Sequence, residues 1–386
     1  MESLKLNTKY LFGKNAIFEL EKELSNSKYK KALILTGSSS YKTNGSFDDL
    51  TKVINKVNLP YIHFLGIEPN PRSRTIDKCV DFVIENKVDL IFALGGGSVV
   101  DASKVIATLA TNKNYYESSW DYVLDSSLAK NKPIDIISII TLAGTGSENN
   151  GTSVITNSEK WEKKSVYNAL ATPIISVQDP SYTFTVDAWQ TASGIFDCFS
   201  HLLEQYFGKS TFDWTREYIF ANLRVLINYA KMVILRPLHF EARANVFWTT
   251  TMALNGLGSF KCESDWSVHT IEHAISGLWD VTHGAGLAFV TPTYLEIRSQ
   301  NEQWFKDKVI QLGRNVFKTQ TLESTIKFIV DFIKSINLPT RWSEFGNIAK
   351  FDEKDASYLL NHSCRFGEPS MKETYQKVIW ALMEKK

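Results

Sequence analysis

Two hydrophobic rhythms alternate through the first half of the chain. KALILTG (31–37), DLIFALGGG (89–97), IDIISIITLAG (134–144) and PIISVQDP (173–180) are short runs, apolar at nearly every position and bounded by Gly, Pro or Asp. Runs of this length and continuity predict strands buried on both faces, as in a parallel sheet. Between them, FDDLTKVINKV and VDASKVIATLATN carry apolar residues three and four apart, the helical rhythm. This alternation predicts a doubly wound α/β domain over residues 1–185. Beyond it the strand runs stop. WQTASGIFDCFSHLLEQYF, TREYIFANLRVLINYAKMVIL and ARANVFWTTTMALNGLG keep the helical spacing over long windows, which predicts an all-helical domain over 186–386. No long linker separates the halves, and a cleft between them is the expected ligand site.

Composition narrows the function classes. At roughly 150 residues per domain, 386 residues suit two or three domains. Hydrophobic residues at 44% and charged residues at 22% exclude a disordered chain. A formal net charge of +1 provides no field to hold a polyanion, so nucleic acid is not an expected partner. The four cysteines form no CxxC pair and no disulfide framework, which points to a reducing compartment. The N-terminal stretch is charged throughout, without an apolar leader segment. The most apolar run, 134–144, is too short to cross a bilayer and contains Asp135. A cytoplasmic protein without a membrane partner is expected.

Candidate chemistry begins with GGGSVVDASK (95–104), which follows a strand run and opens a helical one. Exposed backbone N–H groups at a helix N-terminus attract phosphate. Gly95, Gly96 and Gly97 allow close approach of a pyrophosphate, Ser98 can cap or donate, and Asp101 is placed in the first helical turn. The plain alternative is a tight turn before a capped helix, since neither GxGxxG nor the Walker pattern is matched. A second loop, TLAGTGSE (141–148), offers Thr141, Gly144, Thr145 and Ser147 after the next strand run. Two such loops at successive strand ends suggest a dinucleotide crevice.

Histidines carry the second candidate. Asp197 and His201 are four apart, as are His269 and His273, and His283 lies ten further on. Residues i and i+4 share a helix face, so each pair can reach one ion. Imidazoles with one carboxylate suit Zn²⁺ or Fe²⁺ better than Mg²⁺ or Ca²⁺. Four of these five residues suffice, leaving one histidine as a proton carrier. Gly284 and Gly286 are expected to relax the backbone beside His283. His63, His239 and His362 lack a partner at ligand spacing and are set aside as ordinary core or surface residues.

Taken together, GGGSVVDASK, AGTGSE, the Asp-x₃-His of DCFSH and the His-x₃-His-x₉-His-Gly of HTIEHAISGLWDVTHG resemble the iron-containing alcohol dehydrogenases in order and spacing. The resemblance covers nearly the whole chain. EPNPR, ALNGL and DW-x₂-H-x₃-H are similar to its butanol dehydrogenase and broad-range aldehyde reductase branch. It implies an N-terminal Rossmann-like α/β domain and an all-α C-terminal domain, the dehydroquinate synthase-like fold. It also implies Asp197, His201, His269 and His283 as ligands of one divalent metal, Fe²⁺ or Zn²⁺, and His273 as the histidine beside them that does not ligate. Gly95, Gly96, Gly97, Ser98 and Asp101 then correspond to the pyrophosphate and ribose site, and Thr141, Thr145 and Ser147 to the second cofactor loop. Lys163, favoured over Lys164, corresponds to a ribose-contacting lysine, and Thr183 falls in the cofactor-contacting DPxxT segment. The implied activity is hydride transfer between NAD(P)(H) and a primary alcohol or aldehyde such as butanol or butyraldehyde, mainly in the direction of aldehyde reduction, by a homodimer.

Cofactor choice turns on Gly37, Ser38, Ser39, Ser40 and Lys42 after the first strand run. A carboxylate that would accept from a ribose 2′-hydroxyl is missing there, while hydroxyls and a cation suit a 2′-phosphate, so NADP(H) is expected over NAD(H). A plain Ser-rich turn is the competing reading. Competing functions are a non-redox dehydroquinate synthase-like or polyol-specific glycerol dehydrogenase-like enzyme, and a metal-binding scaffold without catalysis. The first needs a Lys/Arg cluster beside the histidines, which this chain lacks; the intact loops and ligand set oppose the second.

Overall fold

Residues 4–210 and 212–386 are described by a computed structural model. Its strands, among the described residues, are β1 (Lys9–Phe12), β2 (Ala32–Gly37), β3 (Tyr61–Ile67), β4 (Leu90–Gly95), β5 (Asp135–Ile140), β6 (Thr152–Asn157), β7 (Glu162–Tyr167) and β8 (Ile175–Gln178). The helices of the first half are α1 (Leu20–Ser25), α2 (Ser46–Lys56), α3 (Ser73–Glu85), α4 (Gly97–Ala110) and α5 (Ser119–Leu124). Those that follow are α6 (Ala188–Tyr206), α7 (Asp213–Leu235), α8 (Phe240–Ala253), α9 (Ser267–Trp279), α10 (His283–Asn301), α11 (Gln303–Leu312), α12 (Leu322–Ser335), α13 (Glu353–Phe366) and α14 (Lys372–Met383).

The predicted strand runs become β2, β4, β5 and β8, four members of a six-stranded parallel sheet ordered β1-β8-β5-β4-β2-β3. They are apolar throughout because alternate residues feed two cores. Leu33, Leu35, Ile91 and Ala93 face α3, α4 and α5, packing with Ile76, Val80, Val100 and Ile106. Ala32, Ile34, Phe92 and Leu94 face α1 and α2, packing with Leu20, Leu50 and Val53. The helices after β2 and β4 therefore lie on opposite faces although the strands are neighbours. Strand order reverses at this pair, and ligands of open α/β sheets bind outside the carboxyl ends at such a point. β6 and β7 form a separate antiparallel hairpin.

The chain forms two compact units. The α/β unit comprises Lys5–Asp187 together with Arg236–Asn255, and the helical unit comprises Ala188–Leu235 with Gly256–Lys386. The segment 236–255, assigned by its helical rhythm to the second half, thus belongs to the first. α8 is anchored there by Thr251: its hydroxyl donates to Glu148 Oε1 (2.7 Å) and accepts from Gln178 Nε2 (3.0 Å), and its carbonyl accepts from Asn149 Nδ2 (3.0 Å). Trp248 adds edge-on contacts to Tyr10 and Phe12 of β1.

Within the helical unit, α7 is the one helix among the described residues long and apolar enough to cross a bilayer by length and composition. Its buried residues Ile219, Phe220, Leu223, Leu226, Ala230 and Val233 recur at three- and four-residue spacing, the stripe of an amphipathic helix, and it packs on α6.

Candidate metal centre and nucleotide loops

Three helices supply the histidine cluster. α6 carries Asp197 and His201 one turn apart, α9 carries His269 and His273, and α10 begins at His283. Close approach of α10 to α6 depends on Gly284, where a Cβ would sit 1.9 Å from the Ser193 carbonyl oxygen. At Gly286 a Cβ would sit 2.8 Å from Glu272 Cγ. Neither glycine has a positive φ, so their contribution is room for a neighbour and not the backbone relaxation expected from the sequence.

Asp197 Oδ1 is buried and accepts no hydrogen bond, yet three imidazole nitrogens ring it. His201 Nε2 lies at 3.4 Å, His283 Nε2 at 3.6 Å and His269 Nε2 at 3.7 Å. A tetrahedral ion with bonds of about 2.1 Å places its ligands about 3.4 Å apart, close to these separations from Asp197. The ligand atoms of Asp197, His269 and His283 all lie within 4.8 Å of one another, while His201 approaches the set through Asp197. His269 Nε2 is likewise buried without a hydrogen-bond partner. The donor set, one carboxylate and three imidazoles, suits a borderline divalent ion.

Two glutamates that sequence reasoning missed aim the imidazoles. Glu204 Oε1 accepts from His269 Nδ1 at 2.5 Å, and its Oε2 accepts from the backbone N–H groups of Val268 (2.9 Å) and His269 (3.1 Å). Glu272 Oε2 accepts from His283 Nδ1, and Ser276 Oγ donates to its other oxygen. A carboxylate on Nδ1–H orients each ring with Nε2 toward the cluster, where Nε2 offers its lone pair once it carries no proton. Both glutamates follow a cluster histidine by three residues, on the same helix face. That spacing was the available signal, but it does not reveal that each serves a histidine of a different turn or helix.

The metal-free electrostatics are those of a charged donor set. Burial pushes the Asp197 carboxyl up, but the neighbouring imidazoles, His201 foremost, outweigh it and hold it well below the usual carboxylate range. Burial draws His201 down to about 3. Burial also opposes a charge on His269, but Glu204 and Asp197 together raise it to about 10. The His273 ring lies 5.6 Å from that of His283 and 6.1 Å from that of His269, beside the four residues. The histidines set aside by spacing lie elsewhere: His63 pairs with Thr36 Oγ1 (2.9 Å), and His239 caps α8.

The glycine turn sits at the carboxyl end of β4. Gly95 closes that strand, Gly96 precedes α4, and Gly97 and Ser98 open it. A Cβ on Gly97 would lie 2.3 Å from the Thr145 side chain, so this glycine lets the two loops touch. Thr141 follows β5 and donates its backbone N–H to the Gly95 carbonyl (3.0 Å). Gly37 closes β2 beside Val99, with Ser38, Ser39 and Ser40 after it and the Lys42 side chain exposed near the Tyr41 ring. These groups gather at the reversal point of the sheet.

Other sequence candidates turn inward. Asp101 is the fifth residue of α4, beyond the first turn where the sequence reading placed it. Its carboxylate accepts from Ser147 Oγ and from the Val154 N–H (2.9 Å), and burial pushes its pKa up. Thr183 is buried and donates to the Pro180 carbonyl (2.7 Å). Lys163 is buried on β7 and reaches Asn70 Oδ1 (2.9 Å), whereas Lys164 points the other way to the Val123 carbonyl (2.8 Å).

The chain is similar to known proteins over most of its length. Residues 7–180 match the family described as iron-containing alcohol dehydrogenase, and residues 191–385 match the C-terminal domain of the same family. The chain belongs to the iron-containing alcohol dehydrogenase family. It is therefore an oxidoreductase of alcohols and aldehydes. It is 36% identical over 352 residues to NADH-dependent butanol dehydrogenase B of Clostridium acetobutylicum, covering 88% of this chain and 87% of that one. The NADPH-dependent aldehyde reductase YqhD of Escherichia coli is 31% identical over 349 residues, with coverage of 88% and 87%. Among solved structures, the NADH-dependent butanol dehydrogenase A of Thermotoga maritima superposes with a TM-score of 0.90 at 27% identity, covering 99% of this chain and 98% of that one.

Proposed function

We propose that this family member reduces primary aldehydes of short chain, butyraldehyde among them, with a nicotinamide dinucleotide and one divalent ion, Fe²⁺ or Zn²⁺. The observation that carries the reading is the buried Asp197 oxygen ringed by three imidazole nitrogens at metal-ligand spacing. Asp197, His201, His269 and His283 would hold the ion. When bound, the ion supplies Lewis acidity toward a carbonyl oxygen, and the reduced nicotinamide supplies the hydride. Glu204 and Glu272 keep two of the imidazoles aimed, so the donor set needs little rearrangement during the reaction. His273, next to the ligands, is assigned the proton: its imidazole delivers it to the alcohol oxygen that hydride addition creates.

The glycine turn and the 141–148 loop are assigned to the pyrophosphate and adjoining ribose, supported by their place at the sheet reversal. Asp101 and Ser147 act on that site from beneath, through each other. Lys163, the buried lysine of its pair, and Thr183 complete the cofactor surroundings in this reading. The segment Gly37, Ser38, Ser39, Ser40 and Lys42 is assigned to the adenosine ribose, and its lack of a carboxylate favours NADPH over NADH. The four free cysteines suit a cytoplasmic location, and a homodimer is the expected assembly.

The test is metal analysis of protein purified without oxygen, combined with NADPH- and NADH-dependent turnover on an aldehyde panel. About one ion per chain and aldehyde-dependent consumption of reduced cofactor are expected. Full metal loading without turnover of any aldehyde or alcohol would defeat the assignment.

A further inference from the structure

We propose that Lys104 is a positioning residue for the dinucleotide: buried in α4, it locks the 144–152 loop against the glycine turn and offsets the carboxylates beneath the phosphate site. The proposal deepens the reading of that turn as the nucleotide site and rests on it.

Lys104 is among the largest fully buried side chains of the molecule. An ammonium has three donors and no acceptor. Lys104 Nζ directs them at Ser147 Oγ (2.7 Å), the Thr152 carbonyl (2.6 Å) and Asn150 Oδ1 (3.4 Å). Ser147 opens a short helical turn and Thr152 opens β6, so one cation grips the segment at both ends.

The grip reaches the surface in two steps. The Ser147 N–H donates to Thr145 Oγ1 (3.1 Å), and the Thr145 side chain occupies the space left open at Gly97. Thr145 therefore stands over the N-terminus of α4, where exposed N–H groups would meet a pyrophosphate.

Charge gives the second part of the argument. Asp101 and Glu148 are both buried close to Lys104, Asp101 on the same helix and Glu148 in the loop itself. Lys163 of β7 also faces Asp101. Two carboxylates under an anion site would repel the phosphates, and Lys104 is the cation held nearest to both. Burial draws its pKa down to about 8, with Asp101 and Glu148 opposing that fall.

The experiment uses the metal-loaded enzyme and its Lys104→Met variant, titrated with NADPH and NADH by nicotinamide fluorescence and assayed with saturating aldehyde. The dissociation constant and the KM for dinucleotide should rise at least about tenfold, the order expected for losing hydrogen bonds from a charged group. The kcat at saturating cofactor should stay within about threefold, and metal content should not change, because the ligands lie in the other unit. Ser147→Ala removes one acceptor while keeping the lysine; it should weaken dinucleotide binding, and the double variant should be no weaker than Lys104→Met alone. A folded Lys104→Met enzyme with wild-type affinity, or one that loses kcat at unchanged KM, overturns the proposal. If Lys104→Met fails to fold, wild-type affinity in Ser147→Ala overturns it instead. Gly97→Ala, which drives a methyl into Thr145, separates the two layers of the argument. Unchanged affinity there removes the nucleotide site itself. Weakened affinity there with an unaffected Lys104→Met removes only the role of the lysine.

Discussion

Glu204→Gln tests whether the histidine cluster is a metal centre or a set of buried polar residues. The carboxylate receives four hydrogen bonds: His269 Nδ1 at 2.5 Å, Ser200 Oγ at 2.8 Å, and the N–H groups of Val268 and His269 at 2.9 and 3.1 Å. Glutamine keeps the shape but offers one acceptor oxygen, so its NH₂ group must oppose either the imidazole or the first turn of α9. Loss of a carboxylate behind a ligand histidine costs about 10–100-fold in metal affinity. That is about 1.4–2.7 kcal/mol. The competition of Zn²⁺ between the variant and a chromophoric chelator measures this directly, and melting in excess chelator separates it from the cost of the lost hydrogen bonds. Metal affinity within about twofold of wild type would refute the view that Glu204 aims a ligand. A fall in melting temperature alone would make it only a cap for α9.

His283→Ala should abolish metal retention and turnover, whereas His273→Ala should keep its metal and lose about 10²–10⁴-fold in kcat; metal loss from the second variant would put His273 among the ligands. Plasma emission analysis and steady-state kinetics decide between them. Ser39→Asp places a carboxylate after β2 and should cut or reverse a preference for NADPH that is at least about tenfold in the parent enzyme. Equal kcat/KM with both cofactors in the parent removes the phosphate reading. Metal affinity should rise with pH: Glu204 and Asp197 hold His269 protonated up to about pH 10 in the metal-free protein, so the ion must expel that proton. Chelator competition between about pH 6 and pH 8 should show this rise, roughly tenfold per unit for one displaced proton, and a flat profile would contradict it.

The sheet and the histidine cluster were legible in the sequence for the same reason: both are local patterns. β2, β4, β5 and β8 are buried on two sides, so their apolar runs are continuous. Asp197 and His201 share a helix face, so their spacing survives translation into three dimensions. What was not legible depends on partners distant in sequence. The edge strand β1 and the β6–β7 hairpin have mixed burial and no continuous apolar run. Helical rhythm identified α8 but could not say against what its buried side would pack. Nothing local marks the part played by Lys104, because its acceptors come from a loop more than forty residues away. Asp101 had the right residue type for a helix N-terminus, but Ser147 and Val154 claim its oxygens.

The return of residues 236–255 to the α/β unit bears on how the protein is made. Synthesis runs from the N-terminus, and domains generally fold as they emerge. Here the sheet is complete once β8 has left the ribosome, but α8 is still unmade. Until then Glu148, Asn149 and Gln178 lack the hydrogen bonds they share with Thr251. Tyr10 and Phe12 lack Trp248 over the same interval. The nascent α/β unit must therefore wait through α6 and α7, the helices made before α8, with part of its polar network incomplete and aromatic surface uncovered. A chain cut after Asp187 would be held at that stage permanently.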